Sequence, residues 1–192
     1  AKKGFTLVEL IVVIAILAVL MAILVPTMMG FVEDSRIKSA DAAAKQYYDL
    51  VKTFVSREEA NGRGLKKTVK ADLTITVSNN DGKAAVITIK PDKLEDTDFE
   101  GTGKVADFSK NLKTYLEEQL PNAKNGSAAY VMIEDGAVVQ SYYSDTAHAV
   151  TSELVFDDDG KNSDGVIVGS SPKVNASKSE SSSENSSENS SK

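Results

Sequence analysis

The fold is decided at the N-terminus by the stretch FTLVELIVVIAILAVLMAILV, residues 5–25, which is apolar except for Thr6 and Glu9. About twenty consecutive apolar residues are enough to cross a bilayer as one helix. Lys2 and Lys3 precede the stretch, and by the positive-inside rule they place the N-terminus on the cytoplasmic side. The sequence therefore predicts a membrane-inserted helix, with the rest of the chain outside.

An ordinary secretory signal peptide also has a basic start and an apolar stretch. Here the apolar run is long for such a signal, no A-x-A cleavage site follows it, and Glu9 lies within its first turns. These three features favour a retained helix over a signal that is cut off behind the run.

Composition excludes several classes of function for the 192-residue chain. The net charge is −6, and the basic residues are scattered among acids, which argues against nucleic acid as the main ligand. The absence of cysteine excludes disulfides, thiolate nucleophiles and cysteine metal sites. A site built on several histidines is also excluded, because His148 is the single histidine.

The motif KKGFTLVEL, residues 2–10, resembles the type III signal of type IV pilins and pseudopilins. The resemblance implies that a prepilin peptidase cuts between Gly4 and Phe5 and methylates the new N-terminus at Phe5. Residues 1–4 would then be the remnant of a leader. The motif covers about the first thirty residues, and the remaining head shows no resemblance of its own.

Glu9 matches the acidic residue of that family, and the resemblance implies that it pairs with the amine of Phe5 on a neighbouring subunit during assembly. A carboxylate within an apolar segment is costly and suggests a functional role. A structural role is also open, because Thr6-x-x-Glu9 is a capping box and an acid suits the positive end of the helix dipole. The two roles could hold at different stages, and the family motif favours assembly.

Pro26 and Gly30 match the helix-bending region of the family, although proline could also simply end a membrane helix. Helical spacing resumes beyond them in Ile37, Ala40, Ala44, Tyr47, Val51 and Phe54. We therefore predict one long helix, bent or locally melted near residues 26–30, that ends around Ala60 at the stop signal of residues 61–64.

The head is predicted to be α+β, with the back half of the long helix packed on a small, mostly antiparallel sheet. Hairpins are predicted at 73–89, with a turn at 78–82, and at 129–143, with a turn at 135–136. A helix is predicted at 104–120, and further strands at 153–156 and 165–168. From residue 170 onward the chain is rich in Ser, Glu and Asn, which predicts a disordered tail.

The only metal candidate is the acidic loop 157–165, with Asp157, Asp159, Asn162 and Asp164 as possible Ca²⁺ ligands. Its spacing does not fit an EF-hand, and a solvated turn between two strands explains the same composition. No other cofactor is expected.

The resemblance implies a structural subunit of an extracellular type IV pilus-like filament, with roles that could include adhesion, motility or secretion. The implied partners are identical subunits, the prepilin peptidase, the cytoplasmic membrane and an assembly platform. Three alternatives stay open: a secretion-system pseudopilin, a competence pseudopilin and a single-pass membrane-anchored binding or adhesion module. An anchored hydrolase is disfavoured, because nothing like a nucleophile elbow surrounds Ser144 or Ser152, the candidate partners of His148.

The predicted segments are a leader remnant (1–4), a transmembrane and filament-core helix (5–30), a head (31–169) and a disordered tail (170–192).

Overall fold

The computed structural model describes residues 4, 6–78, 85–146 and 165–173. The chain divides into two compact units, Ala1–Lys38 and Ser39–Lys192, and helix α1, Leu7–Ala60, contributes residues to both. The prediction of one long N-terminal helix is therefore confirmed, and so is its end at Ala60.

The first unit consists, in its described part, of the N-terminal portion of α1. Residues 26–30 are α-helical, as are the residues on both sides, so the local melting predicted as one alternative for this region is not found. The helix continues because its other turns keep their main-chain hydrogen bonds, and proline removes one donor only. A bend at Pro26 and Gly30 stays a prediction.

In the second unit, α1 buries one stripe of side chains against the sheet. The predicted stripe is confirmed from Ala40 to Phe54, while Ile37 is half-buried. The helix ends in a Schellman motif, in which Arg63 N–H donates to the carbonyl of Glu58 and Gly62 N–H to that of Glu59, each at 3.0 Å. Gly62 has a φ of 70°, a conformation that glycine adopts without steric cost.

The second unit is α+β, as predicted, with a five-stranded antiparallel sheet in the order β2-β1-β3-β4-β5. The strands are β1 (Lys70–Ser78), β2 (Val86–Asp92), β3 (Ala128–Glu134), β4 (Ala137–Ser144) and β5 (Gly169–Ser171). A short 3-10 helix, Asp96–Asp98, and helix α2, Val105–Gln119, lie between β2 and β3. The paired strands of both predicted hairpins and the predicted second helix are confirmed within three residues at their ends. Residues 79–82 of the turn predicted at 78–82 lie outside the described residues.

The core lies between the two helices and one face of the sheet. Phe54 is fully buried, and its ring meets that of Phe108 edge-on at 5.3 Å between centroids and that of Tyr115 at 5.8 Å. The sheet contributes alternate residues, among them Leu73, Ile75, Ile87, Val131 and Ile133. The predicted apolar face of α2 is confirmed, since Phe108, Leu112 and Leu116 are buried on it.

Two predictions for the end of the chain were wrong. Residues 165–168 do not form a strand, and only Ile167 makes a β-bridge there; the strand lies at residues 169–171. The predicted start of a disordered tail at residue 170 was wrong as well, because Ser170 and Ser171 belong to β5. The predicted strand at 153–156 and the residues from 174 onward lie outside the described residues.

Candidate functional site

The start of α1 is closed by the predicted capping box. Thr6 N–H donates to Glu9 Oε2 at 2.8 Å, and Glu9 N–H donates to Thr6 Oγ1 at 3.3 Å. The Thr6 hydroxyl also donates to Glu9 Oε2 at 2.7 Å. These contacts satisfy N–H groups that a helix start leaves without main-chain partners. The structural role considered for Glu9 is therefore present in the single chain.

The capping box does not occupy the whole carboxylate of Glu9. Among the described residues, both side-chain contacts of Glu9 are made through Oε2. A carboxylate has two oxygens and about four acceptor positions, so Oε1 can accept a further donor. The cap thus holds the side chain in place without excluding a second partner.

Thr27 follows Pro26 directly in α1. Proline has no N–H to donate to the preceding turn, and the carbonyl that loses its donor is that of Ala22, four residues before Pro26. The Thr27 hydroxyl donates to the carbonyl of Leu24 at 2.9 Å and lies 3.4 Å from that of Ile23. These contacts do not replace the bond that Pro26 cannot make, but a threonine hydroxyl bonded to the preceding turn of its own helix often accompanies a bend. They were not predicted, although the Pro-Thr pair was visible in the sequence.

The surface of α1 in the first unit is a continuous apolar sheath. Its large apolar side chains from Leu7 to Val32 are each between 44% and 76% exposed. Of the helices in the described residues, α1 is the one long and apolar enough to cross a membrane by length and composition, with a mean hydropathy of 3.2 over its best 18 residues. An apolar surface of this extent is stable only when lipid or protein covers it.

A second feature, missed by the sequence reasoning, fastens residues 169–173 to α1. Ser170 N–H donates to Asp41 Oδ1 at 3.1 Å, and Lys173 pairs with Asp41 Oδ2. Gly169 lies so close to α1 that a Cβ atom on it would be 2.0 Å from the carbonyl carbon and oxygen of Ala40. We call residues 169–173, together with Ala40 and Asp41, the clasp.

Several predicted site residues lie outside the described residues: Phe5, the calcium candidates Asp157, Asp159, Asn162 and Asp164, and His148 with Ser152. Processing at Gly4 and Phe5 and calcium binding in the acidic loop stay predictions. Ser144 is described and fully buried, and its hydroxyl accepts the N–H of Thr146 at 3.2 Å. A buried, bonded hydroxyl of this kind is poorly placed to act as a nucleophile.

Two comparisons with known proteins found a match. Residues 1–25 match the family model described as the prokaryotic N-terminal methylation motif. A fimbrial protein of Moraxella nonliquefaciens is 34% identical over 97 residues, which cover 50% of this chain and 60% of that protein. The chain therefore matches about three-fifths of the length of that relative. No solved structure matches the chain.

The chain is thus similar to pilin-type proteins in its methylation motif and, over half of its length, to a fimbrial protein. The apolar N-terminal helix and the α+β head are consistent with that similarity.

Proposed function

We propose that this chain is a structural subunit of an extracellular type IV pilus-like filament, made first as a membrane-anchored precursor. The observation that carries the proposal is the combination, in the first unit, of the methylation motif with an apolar helix surface that is exposed throughout. The same surface fits two environments in turn: lipid before assembly, and the apolar helices of neighbouring subunits afterwards.

The precursor is proposed to insert with its N-terminus in the cytoplasm, because Lys2 and Lys3 precede the apolar run. A prepilin peptidase then cuts after Gly4 and methylates Phe5, and an assembly platform extracts the subunit into the filament. Pro26 and Gly30 supply a place where α1 can bend as it packs among identical helices.

Glu9 is proposed to draw each incoming subunit into register by accepting the amine of Phe5 from its neighbour. Oε1 offers the acceptor, while the cap on Oε2 keeps the carboxylate at the helix start. In an apolar surrounding an unpaired amine costs several kcal/mol, so a charge partner at this depth strongly favours the paired arrangement.

The first experiment is mass analysis of sheared surface filaments. We expect subunits whose N-terminal residue is N-methylated Phe5, in filaments visible by electron microscopy. Filament material that begins at Ala1, or beyond Val25, would contradict processing after Gly4.

The second experiment separates the two roles of Glu9 with a matched pair of variants. Glu9→Gln keeps an oxygen that can accept Thr6 N–H but loses the charge, whereas Thr6→Ala loses the hydroxyl contacts and keeps the charge. We expect Glu9→Gln to be processed and inserted but to form few filaments, and Thr6→Ala to form filaments in near-normal amounts. Abundant filaments from Glu9→Gln, with few from Thr6→Ala, would show that capping is the role that matters.

The filament experiments also decide among the alternatives. A secretion-system or competence pseudopilin would be processed in the same way, but would be needed for secretion or DNA uptake. A membrane-anchored binding or adhesion module would stay in the membrane fraction and would tolerate Glu9→Gln. The fimbrial relative favours the pilus subunit over these alternatives.

A further inference from the structure

The two edge strands of the head sheet are both closed by a carboxylate from a helix. β2 and β5 are the edges in the sheet order β2-β1-β3-β4-β5. An open edge presents unpaired N–H and C=O groups on which a strand of another molecule can pair. The way in which each edge is covered therefore decides whether the head can associate through its backbone.

At the β2 edge, Ile87 N–H donates to Glu117 Oε1 of α2 at 3.0 Å. Lys113, one turn earlier on α2, pairs with the same carboxylate oxygen and holds it there. Since N–H groups of alternate residues point to the same side of a strand, the next outward positions are Ile89 and Pro91. Pro91 has no N–H to offer, which is a common way of blocking an edge.

The β5 edge is built in the same way from unrelated parts of the chain. Ser170 N–H donates to Asp41 of α1, and Lys173 holds that carboxylate. The next outward position is Pro172, which again has no donor. Each edge thus has its own carboxylate that accepts a strand N–H, a lysine that pairs with the carboxylate, and a proline at an outward position. The same arrangement at both edges indicates that edge closure is a property of the head.

We propose that Glu117 and Asp41 close the head sheet to strand addition, and that opening the Glu117 clamp turns β2 into a pairing edge for the β2 strand of a second copy of this chain. A second copy is the occupant because an antiparallel pair of identical strands is self-complementary about a two-fold axis. Val86 at the start of β2 is 44% exposed and adds an apolar side chain to that edge.

The consequence for assembly rests on the proposed function. Filament subunits stand close together for long times, so an open edge would let heads pair by backbone in arrangements that compete with helix packing. Closed edges leave the apolar part of α1 as the surface that drives association.

The test uses the full chain in detergent micelles, where neither processing nor filament assembly is needed, so its failure would leave the proposed function standing. Glu117→Ala opens the clamp, and Glu118→Ala is the matched control, because Glu118 is exposed on the same helix. Light scattering measures the mass of the protein component, and hydrogen exchange measures protection of the Ile87 amide. We expect Ile87 in Glu117→Ala to exchange roughly tenfold faster than in the control, because it loses a hydrogen bond to a charged group.

We also expect Glu117→Ala to form dimers at concentrations where wild type and Glu118→Ala are monomers. Adding Ile89→Pro to Glu117→Ala removes the second outward donor of β2 and leaves Ile87 N–H alone, which is too little to hold a strand pair, so the protein should return to a monomer. If Glu117→Ala does not fold, Lys113→Ala and its control Lys110→Ala give the same comparison with the carboxylate in place. Equal masses for each variant and its control, or undiminished association after Ile89→Pro, would overturn the proposal.

Discussion

Gly169→Ala is expected to open the clasp and to destabilise the head by about 2–4 kcal/mol. The position requires glycine because of space and not because of backbone conformation, since its φ is not in the left-handed region. A Cβ atom would lie 2.0 Å from the carbonyl carbon and oxygen of Ala40, where ordinary contact begins at 3.4 Å. These are main-chain atoms of a helix and cannot turn aside as a flexible side chain can.

The magnitude follows from the contacts that depend on this approach. If β5 withdraws by the missing 1.4 Å, the 3.1 Å hydrogen bond from Ser170 to Asp41 is broken. A hydrogen bond to a charged group contributes about 1.5–3 kcal/mol, and forcing an extra methyl into a packed site costs about 1–3 kcal/mol. Partial relaxation lowers the total below the sum of the two upper values.

The assay is thermal unfolding of the full chain in detergent, followed by circular dichroism of the head. A loss of 2–4 kcal/mol should lower the Tm by roughly 5–15 °C for a head of this size. Ser170→Ala is the control, because it keeps the N–H that reaches Asp41 and should melt like wild type. A Tm shift of about 1 °C corresponds to a change of under 0.5 kcal/mol in the free energy of unfolding. If the Tm of Gly169→Ala stays within about 1 °C of that control, the reasoning is refuted.

Three other experiments test the head independently. Phe54→Ala should cost about 3–5 kcal/mol in urea unfolding, because it empties the centre of the aromatic core, and a loss under 1 kcal/mol would mean that the core is packed differently. Burial raises the pKa of Glu117, but hydrogen bonds from the Lys113 ammonium and the Ile87 N–H outweigh it and leave the pKa below its usual 4.5. The stability that Glu117 adds is thus present above pH 4.5 and is lost as the pH falls through the lower pKa of the folded protein. The urea midpoints of wild type and Glu117→Gln should therefore converge in acid. A difference between the midpoints that stays constant with pH would contradict this. Gly136→Ala should lower the free energy of unfolding by about 1 kcal/mol more than Gly126→Ala does. Both glycines have positive φ, but only at Gly136 would the new Cβ lie 2.7 Å from a carbonyl oxygen. Equal losses for the two variants would contradict the clash.

The parts of the fold that were predictable are those that a few neighbouring residues determine. The end of α1 follows from Asn61-Gly62, because the Schellman motif is local and glycine supplies its positive φ. The β3–β4 turn follows in the same way from Asp135-Gly136, whose φ values of 53° and 72° suit a tight hairpin. The capping box is also local, since its two members are three residues apart.

The clasp could not be predicted in this way. β5 has three residues, Gly169–Ser171, with no apolar alternation, and it lies beside a Ser-rich region that resembles disordered sequence. Its partner Asp41 is 129 residues away in the chain, so no local pattern connects the two. The glycine, proline and lysine within residues 169–173 gave no signal either, because disordered segments are rich in the same residue types.

The two units differ in which groups they expose to their surroundings, and this difference suggests how subunits would associate. In the first unit the main chain is helical, and the large apolar side chains are exposed. In the second unit most large apolar side chains are buried, and carboxylates accept the outward N–H groups of Ile87 and Ser170 on the two edge strands. Contacts between neighbouring heads would then be made mainly by polar side chains, which can vary without disturbing helix packing. We therefore expect that changes of exposed charge on the head alter how filaments interact with each other or with surfaces, while changes in residues 7–32 alter whether filaments form at all.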